Sequence, residues 1–100
     1  MDYEKMKCIQ DQMEEELEGA CNYIDCAYAW KDEDREWADM YHNMAKQEMA
    51  HMEALHTMAV KEIKKVQGSE DYEVMKRIYN YLHERMMMKA DKINRKISEY

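Results

Sequence analysis

The chain has 100 residues, a formal net charge of -7, no proline, no phenylalanine, two glycines and twelve methionines. Its length fits a single domain of modest size, and an acidic chain is a poor general binder of nucleic acid. No apolar run approaches the roughly 20 residues that a membrane span needs, so we expect no membrane association. The first residues lack the basic and apolar segments of a secretory signal. The chain has three cysteines and no Cys-x-x-Cys pair, which favours a cytoplasmic location over a disulfide scaffold or a zinc ribbon.

The sequence predicts an all-α protein, because almost nothing in it interrupts helix formation. We expect helices over about residues 3–30, 33–67 and 70–97. The first two form a long antiparallel hairpin within residues 1–67, and residues 68–100 add a C-terminal helix to the same domain.

The two connections have identifiable turn chemistry. The segment Lys31-Asp32-Glu33-Asp34 offers an aspartate N-cap and acidic residues for the positive end of the second helix. At the other connection, we expect Gly68 to adopt a left-handed conformation and Ser69 to cap the third helix.

Apolar residues recur at helical spacing in all three segments. The predicted core stripe of the first helix is Met6, Ile9, Met13, Leu17, Ala20, Ile24 and Ala27. That of the second is Trp37, Met40, Tyr41, Met44, Ala45, Met52, Leu55, Met58, Ala59 and Ile63, and that of the third is Met75, Tyr79, Leu82, Met86, Ile93 and Ile97.

Helix length predicts self-association. A helix of about 35 residues extends about 50 Å, whereas a compact chain of this size has a radius of gyration of only about 13 Å. Three such helices expose more apolar surface than one chain can cover. We therefore expect a homodimer or a higher homo-oligomer.

The motif Glu48-Met-Ala-His51 is the main candidate for chemistry. Residues three apart share a helical face, so its carboxylate and imidazole point at the same space. They lie on the apolar stripe, where a charged glutamate needs a compensating partner such as a metal cation. A second copy of the spacing, Glu53-Ala-Leu-His56, faces a more polar side and is a weaker candidate. His83-Glu84 on the third helix is also weak, because adjacent residues diverge by about 100°.

Height along the hairpin selects a third ligand. If the turn lies near Glu33, Glu18 is level with Glu48, and antiparallel packing brings it toward Glu48 and His51. Gly19 beside it favours close approach of the helices. Two carboxylates and one imidazole suit iron, manganese or zinc.

This set is half of a known arrangement. Di-metal carboxylate sites in helical bundles take a glutamate from each of two helices and a Glu-x-x-His from each of the other two. Two copies related by a two-fold axis supply Glu18, Glu48 and His51 twice and complete a four-helix bundle. Self-association and site formation are then the same event.

The stretch from Glu15 to Lys61 resembles the first helical hairpin of the ferritin-like superfamily, especially its rubrerythrin-like branch. The residues that carry the resemblance are Glu18, Tyr23 and Glu48-Met-Ala-His51. The stretch is also similar to the short encapsulated ferritins, in which two hairpins dimerise around a di-iron centre. The resemblance implies Glu18 as a ligand, Glu48 as a bridging carboxylate and His51 as a terminal ligand. It implies ferrous iron oxidation, iron storage or peroxide reduction, although the rubredoxin-like cysteine pair of rubrerythrins is missing from the sequence.

A second interpretation needs no catalysis. The same hairpin and dimer can serve as a non-enzymatic helical oligomer or protein-interaction module, with the glutamates and the histidine in a structural polar network. A methionine-rich surface favours this reading, because methionine side chains adapt to partner helices.

Overall fold

The computed structural model describes residues 3–100, which form three helices and no strand. Helix α1 spans Tyr3–Trp30, α2 spans Arg35–Lys65 and α3 spans Tyr72–Glu99. The predicted all-α class is confirmed, and the bounds of α1 are those expected. Helix α2 is shorter at both ends than residues 33–67, and α3 begins and ends later than residues 70–97.

The connections explain these differences. Asp34 is extended at φ -147°, and its side chain accepts a hydrogen bond from the backbone N–H of Trp37 at 3.2 Å. The segment from Lys31 to Asp34 predicted an aspartate N-cap, and in the structure that residue is Asp34. Gly68 has φ +90°, the left-handed conformation predicted for it. The prediction for Ser69 is wrong: its hydroxyl donates back to the carbonyl of Val66 at 2.7 Å, and Asp71 occupies the N-cap position without a side-chain cap bond. The turn therefore continues past Ser69 before α3 begins.

Helices α1 and α2 form the hairpin, and α3 packs against both of them. The molecule measures 56 × 18 × 15 Å, with a radius of gyration of 16.1 Å. Every residue of the predicted α1 stripe is buried. In the predicted stripe of α2, some residues are buried and others are exposed. Ala45, Met52 and Ala59 are buried, whereas the side chains of Trp37 and Met58 are 52% and 44% exposed.

This division gives the hairpin an outer face that points away from α3. On α1, Glu14, Leu17 and Glu18 line a groove against α3. Because each residue advances the helix by about 100°, Glu16 and Tyr23 point to nearly the opposite side of α1. We define the outer face by the residues Glu16, Gly19, Tyr23, Trp37, Tyr41, Glu48 and His51.

The C-terminal end of α3 is tied to the hairpin by side chains that bond its last carbonyls. Tyr28 donates to the carbonyl of Lys96 at 2.6 Å, and Nε2 of His42 donates to that of Ile97 at 2.9 Å. Lys31 reaches the carbonyl of Tyr100 at 2.5 Å. The carbonyl of Lys96 also accepts the backbone N–H of Tyr100 at 3.1 Å. The carbonyl of Ile97 lies in the last turn, where no backbone N–H of the helix reaches it, so the bond from His42 satisfies a group that water would otherwise have to satisfy.

Candidate metal site

One cluster on the outer face combines two carboxylates with an imidazole. Glu16, Glu48 and His51 each place one potential ligand atom so that all three atoms lie within 4.8 Å of one another. Nδ1 of His51 is 3.5 Å from Oε2 of Glu16. Glu48 and His51 come from one face of α2, as their spacing predicted, and Glu16 reaches them from α1.

The two carboxyl groups of the cluster influence each other's ionisation. A hydrogen bond with Glu16 raises the pKa of Glu48 above its usual range. Burial and the negative charge of Glu16 raise it further, while the nearby His51 lowers it. Carboxylates this close cannot both ionise at low cost. A bound cation removes that penalty, so metal binding would favour the ionised form of Glu48.

Glu16 is only partly satisfied in this arrangement. Its Oε2 atom is shielded from solvent and has no hydrogen-bond partner among residues 3–100. The side chains of Glu16 and His51 are 25% and 61% exposed, so the cluster opens to the surface on the histidine side. An unpartnered carboxylate oxygen beside an imidazole is a ready donor for a cation.

Gly19 lets the Glu48 carboxylate lie close to α1. A Cβ atom at this position would be 3.3 Å from Oε2 of Glu48, which is tighter than an ordinary contact. The close approach expected at Gly19 is therefore made by the carboxylate of Glu48.

The structure does not bring Glu18 to this cluster. Glu18 is exposed and lines the groove between α1 and α3, together with Leu82, Arg85 and Lys89. The distance of a residue from the turn predicts its level along the hairpin but not the direction in which its side chain points. Glu16 and Glu18 are two positions apart, so their side chains point about 200° away from each other around α1. Glu16 is near the same level and points outward. In the sequence, Glu16 precedes Gly19 by three residues and Tyr23 by seven. This helical spacing was the signal that Glu16 lies with them on the outer face.

The donor set fits a divalent cation. Carboxylate oxygens with one imidazole nitrogen suit iron, manganese or zinc better than copper(I), and no thiolate is required. Three protein ligands leave coordination positions for water, a substrate or further ligands. The second Glu-x-x-His motif has no part in this set, because Glu53 lines a groove against α3 and His56 bonds to Tyr79.

Comparison with known proteins gives no family: the chain matches no protein-family model, no curated protein and no solved structure. Within residues 3–100, no helix is both long enough and apolar enough to cross a membrane.

Proposed function

We propose that this protein binds a divalent metal ion through Glu16, Glu48 and His51. The observation that carries the proposal is the convergence of their three ligand atoms within 4.8 Å. Two features support it. The proximity of Glu16 raises the pKa of Glu48, and the Oε2 atom of Glu16 has no hydrogen-bond partner within residues 3–100. A cation would offset the repulsion that arises when both carboxyl groups are ionised.

We further propose that two copies dimerise through the outer face and complete a di-metal site. Aromatic side chains lie on this face between the cluster and the connection that joins α1 to α2. Tyr41 stacks on Tyr23 with ring centroids 6.2 Å apart, and Trp37 lies 5.9 Å from Tyr41. A two-fold axis beside the cluster would bury these rings and bring two sets of ligands together. The product would be a four-helix bundle of two hairpins, with each α3 on its outside.

Iron is the metal we propose, because the hairpin resembles those of ferritin-like proteins around Glu48 and His51. Bound iron would supply one-electron redox chemistry, for ferrous iron oxidation or peroxide reduction. The chain's own residues would balance the metal charge with Glu16 and Glu48, and His51 would provide the nitrogen donor. The aromatic side chains of the outer face, once buried in the dimer, would restrict access of water from that side.

Metal titration tests the first proposal. The purified protein is titrated anaerobically with Fe(II), and in parallel with Mn(II) and Zn(II), by calorimetry. We expect one ion per chain, with binding lost in Glu48→Gln and His51→Ala and unchanged in Glu53→Gln on the same helix. Substoichiometric binding that survives both changes would refute the site.

Sedimentation tests the dimer separately. Trp37→Glu places a charge on the outer face, within its aromatic contact with Tyr41, and should give monomers where the unmodified protein gives dimers. Met88→Glu is the matched control, because Met88 is 74% exposed on α3 and away from that face. A monomeric unmodified protein, or equal effects of both changes, would exclude an outer-face dimer.

A non-enzymatic helical oligomer or interaction module is the second candidate. The hydrogen bond between Glu16 and Glu48 favours it, because a shared proton can satisfy the carboxyl pair without metal. In that case the metal-free protein dimerises fully, and the isosteric Glu48→Gln keeps both the dimer and its stability. Aerobic addition of Fe(II), followed by optical absorption, would then show no bound oxidised centre.

A further inference from the structure

A second histidine cluster lies between α2 and α3, on the side of α2 that faces away from the metal site. It contains His56 of α2 with Tyr79 and His83 of α3, which we call the ring cluster. Nε2 of His56 forms a hydrogen bond of 2.9 Å with the hydroxyl of Tyr79. The ring centroid of His83 is 5.1 Å from that of His56 and 4.6 Å from that of Tyr79, with planes within 24° of parallel. Three rings therefore join the two helices.

The ring cluster is poorly suited to positive charge. Nδ1 of His83 is shielded from solvent and has no hydrogen-bond partner in the described part of the chain. Burial lowers the pKa of His83, and His56 lowers it further, while Glu84 opposes the shift. On the α1 side, Glu14 faces Leu82 and Arg85 across a groove. The charges acting on the pKa of His83 are those of His56 and Glu84.

The first half of α3 exposes several apolar side chains. Met75 is buried, but Val74, Ile78 and Tyr81 are 47%, 39% and 74% exposed. Just before the helix begins, the hydroxyl of Tyr3 on α1 donates a long hydrogen bond of 3.4 Å to the exposed carboxylate of Asp71. The last turn of α3, in contrast, is tied by bonds from the hairpin to its carbonyls.

We propose that the ring cluster is an acid-sensitive contact, which holds the first half of α3 on α2 when both imidazoles are neutral and releases it when both are protonated. Two imidazolium ions stacked at this distance repel each other, and an N–H at Nδ1 of His83 would lack an acceptor. Release would open the groove between α2 and α3 that Val60, Ile63 and Tyr79 line.

The direction of the pH effect follows from proton linkage. When folding lowers the pKa of a histidine, that histidine binds fewer protons in the folded state than in the unfolded state. The difference begins as the pH falls to the ordinary histidine pKa of about 6.5 and destabilises the folded state from there downward. The contact is therefore at full strength above the ordinary histidine pKa. It weakens as the pH falls from there toward the lowered pKa of His83. This inference does not depend on metal binding.

Hydrogen exchange of the full, metal-free chain tests the proposal. Protection of the backbone amides, corrected for intrinsic exchange, is compared at about pH 7.5 and about pH 5. We expect protection over residues 75–86 to fall by about tenfold or more, while residues 90–99 and the hairpin keep theirs. Unchanged protection over residues 75–86 would overturn the proposal, and so would a parallel loss throughout the hairpin.

Two variants assign the effect to the imidazoles. His83→Phe and His56→Phe each keep a ring in the stack and remove one charge, so either should retain protection at the lower pH. Glu53→Gln, which removes a titratable group from α2 outside both clusters, is the control and should respond like the unmodified protein. If the Phe variants that fold lose protection as the unmodified protein does, the ring cluster is not the sensor.

Discussion

His51 and His56 are on the same helix, yet their surroundings favour opposite chemistry. His51 is exposed and lies 3.5 Å from a carboxylate oxygen of Glu16, beside Glu48, whose pKa the neighbouring Glu16 raises. His56 bonds to a tyrosine hydroxyl and stacks on a second imidazole. The first environment gathers potential ligand atoms for a cation, and the second lowers the pKa of the imidazole of His83. Both histidines belong to a Glu-x-x-His motif, so this spacing alone does not determine the surroundings of an imidazole. The residues that face it from the neighbouring helix do.

The largest expected difference concerns metal affinity. Glu16→Gln removes a ligand charge from the His51 cluster and should weaken Fe(II), Mn(II) or Zn(II) binding by about 100-fold or more, since even groups around a site contribute 10–100-fold. Glu18→Gln on the same helix should have little effect, because Glu18 lies in the groove against α3. Calorimetric titration measures both. A large loss in Glu18→Gln with none in Glu16→Gln would restore the ligand set predicted from helix height.

The hydrogen bond of the ring cluster should be visible in stability. Tyr79→Phe removes the partner of His56 Nε2 and should lower the free energy of unfolding by about 1 kcal/mol. Tyr81→Phe is the matched control, because Tyr81 is 74% exposed, and should change it by less than about 0.5 kcal/mol. Urea unfolding followed by circular dichroism measures both values. Equal effects would mean that the bond to His56 adds nothing to the packing of α3.

Gly19→Ala should separate stability from binding at the metal site. Alanine favours a helix interior over glycine by up to about 1 kcal/mol, and the flexible side chain of Glu48 can move from the added Cβ. We expect equal or higher thermal stability of the metal-free protein, together with weaker metal binding. Unfolding and calorimetric titration are compared on the same samples. Lower stability with unchanged binding would show that Glu48 does not depend on the space beside Gly19.

The smallest effects are two pH dependences of opposite sign. The raised pKa of Glu48 means that the native chain binds more protons there than the unfolded chain. Its stabilising contribution is therefore complete below the ordinary glutamate pKa and is lost as the pH rises through the raised value. For His83 the loss occurs as the pH falls. Glu48→Gln should remove the first slope and His83→Phe the second, in urea unfolding from about pH 4 to about pH 8. Changes in the same direction would contradict these assignments.

Most of the fold could be predicted because local signals agree with it. The α1 stripe, the N-cap at Asp34 and the left-handed Gly68 each depend on a few neighbouring residues. The buried residues of α2 were harder to predict, because its apolar residues lie on two faces of the helix. Helical spacing alone does not show which of the two faces is buried. Trp37 and Met40 fit the stripe by spacing but are exposed in the chain.

The sequence predicted how far along the hairpin the candidate site lies, but it predicted only two of its three residues. Glu48 and His51 share a helix, so their spacing fixed their relative position. The α1 carboxylate depended on the rotation of one helix against another, which side-chain packing determines, and the structure places Glu16 there where Glu18 was expected. The approach of His83 to His56 depends on the position of α3, for which the sequence gives no local signal.

The bonds from Tyr28 and His42 to the last carbonyls of α3 have a kinetic consequence. The other end of α3 remains joined to α2 through the short connection that contains Gly68. A helix anchored at both ends cannot diffuse away from its chain, so re-docking after an opening is unimolecular. Its rate should therefore be independent of protein concentration, and each opening should be fully reversible.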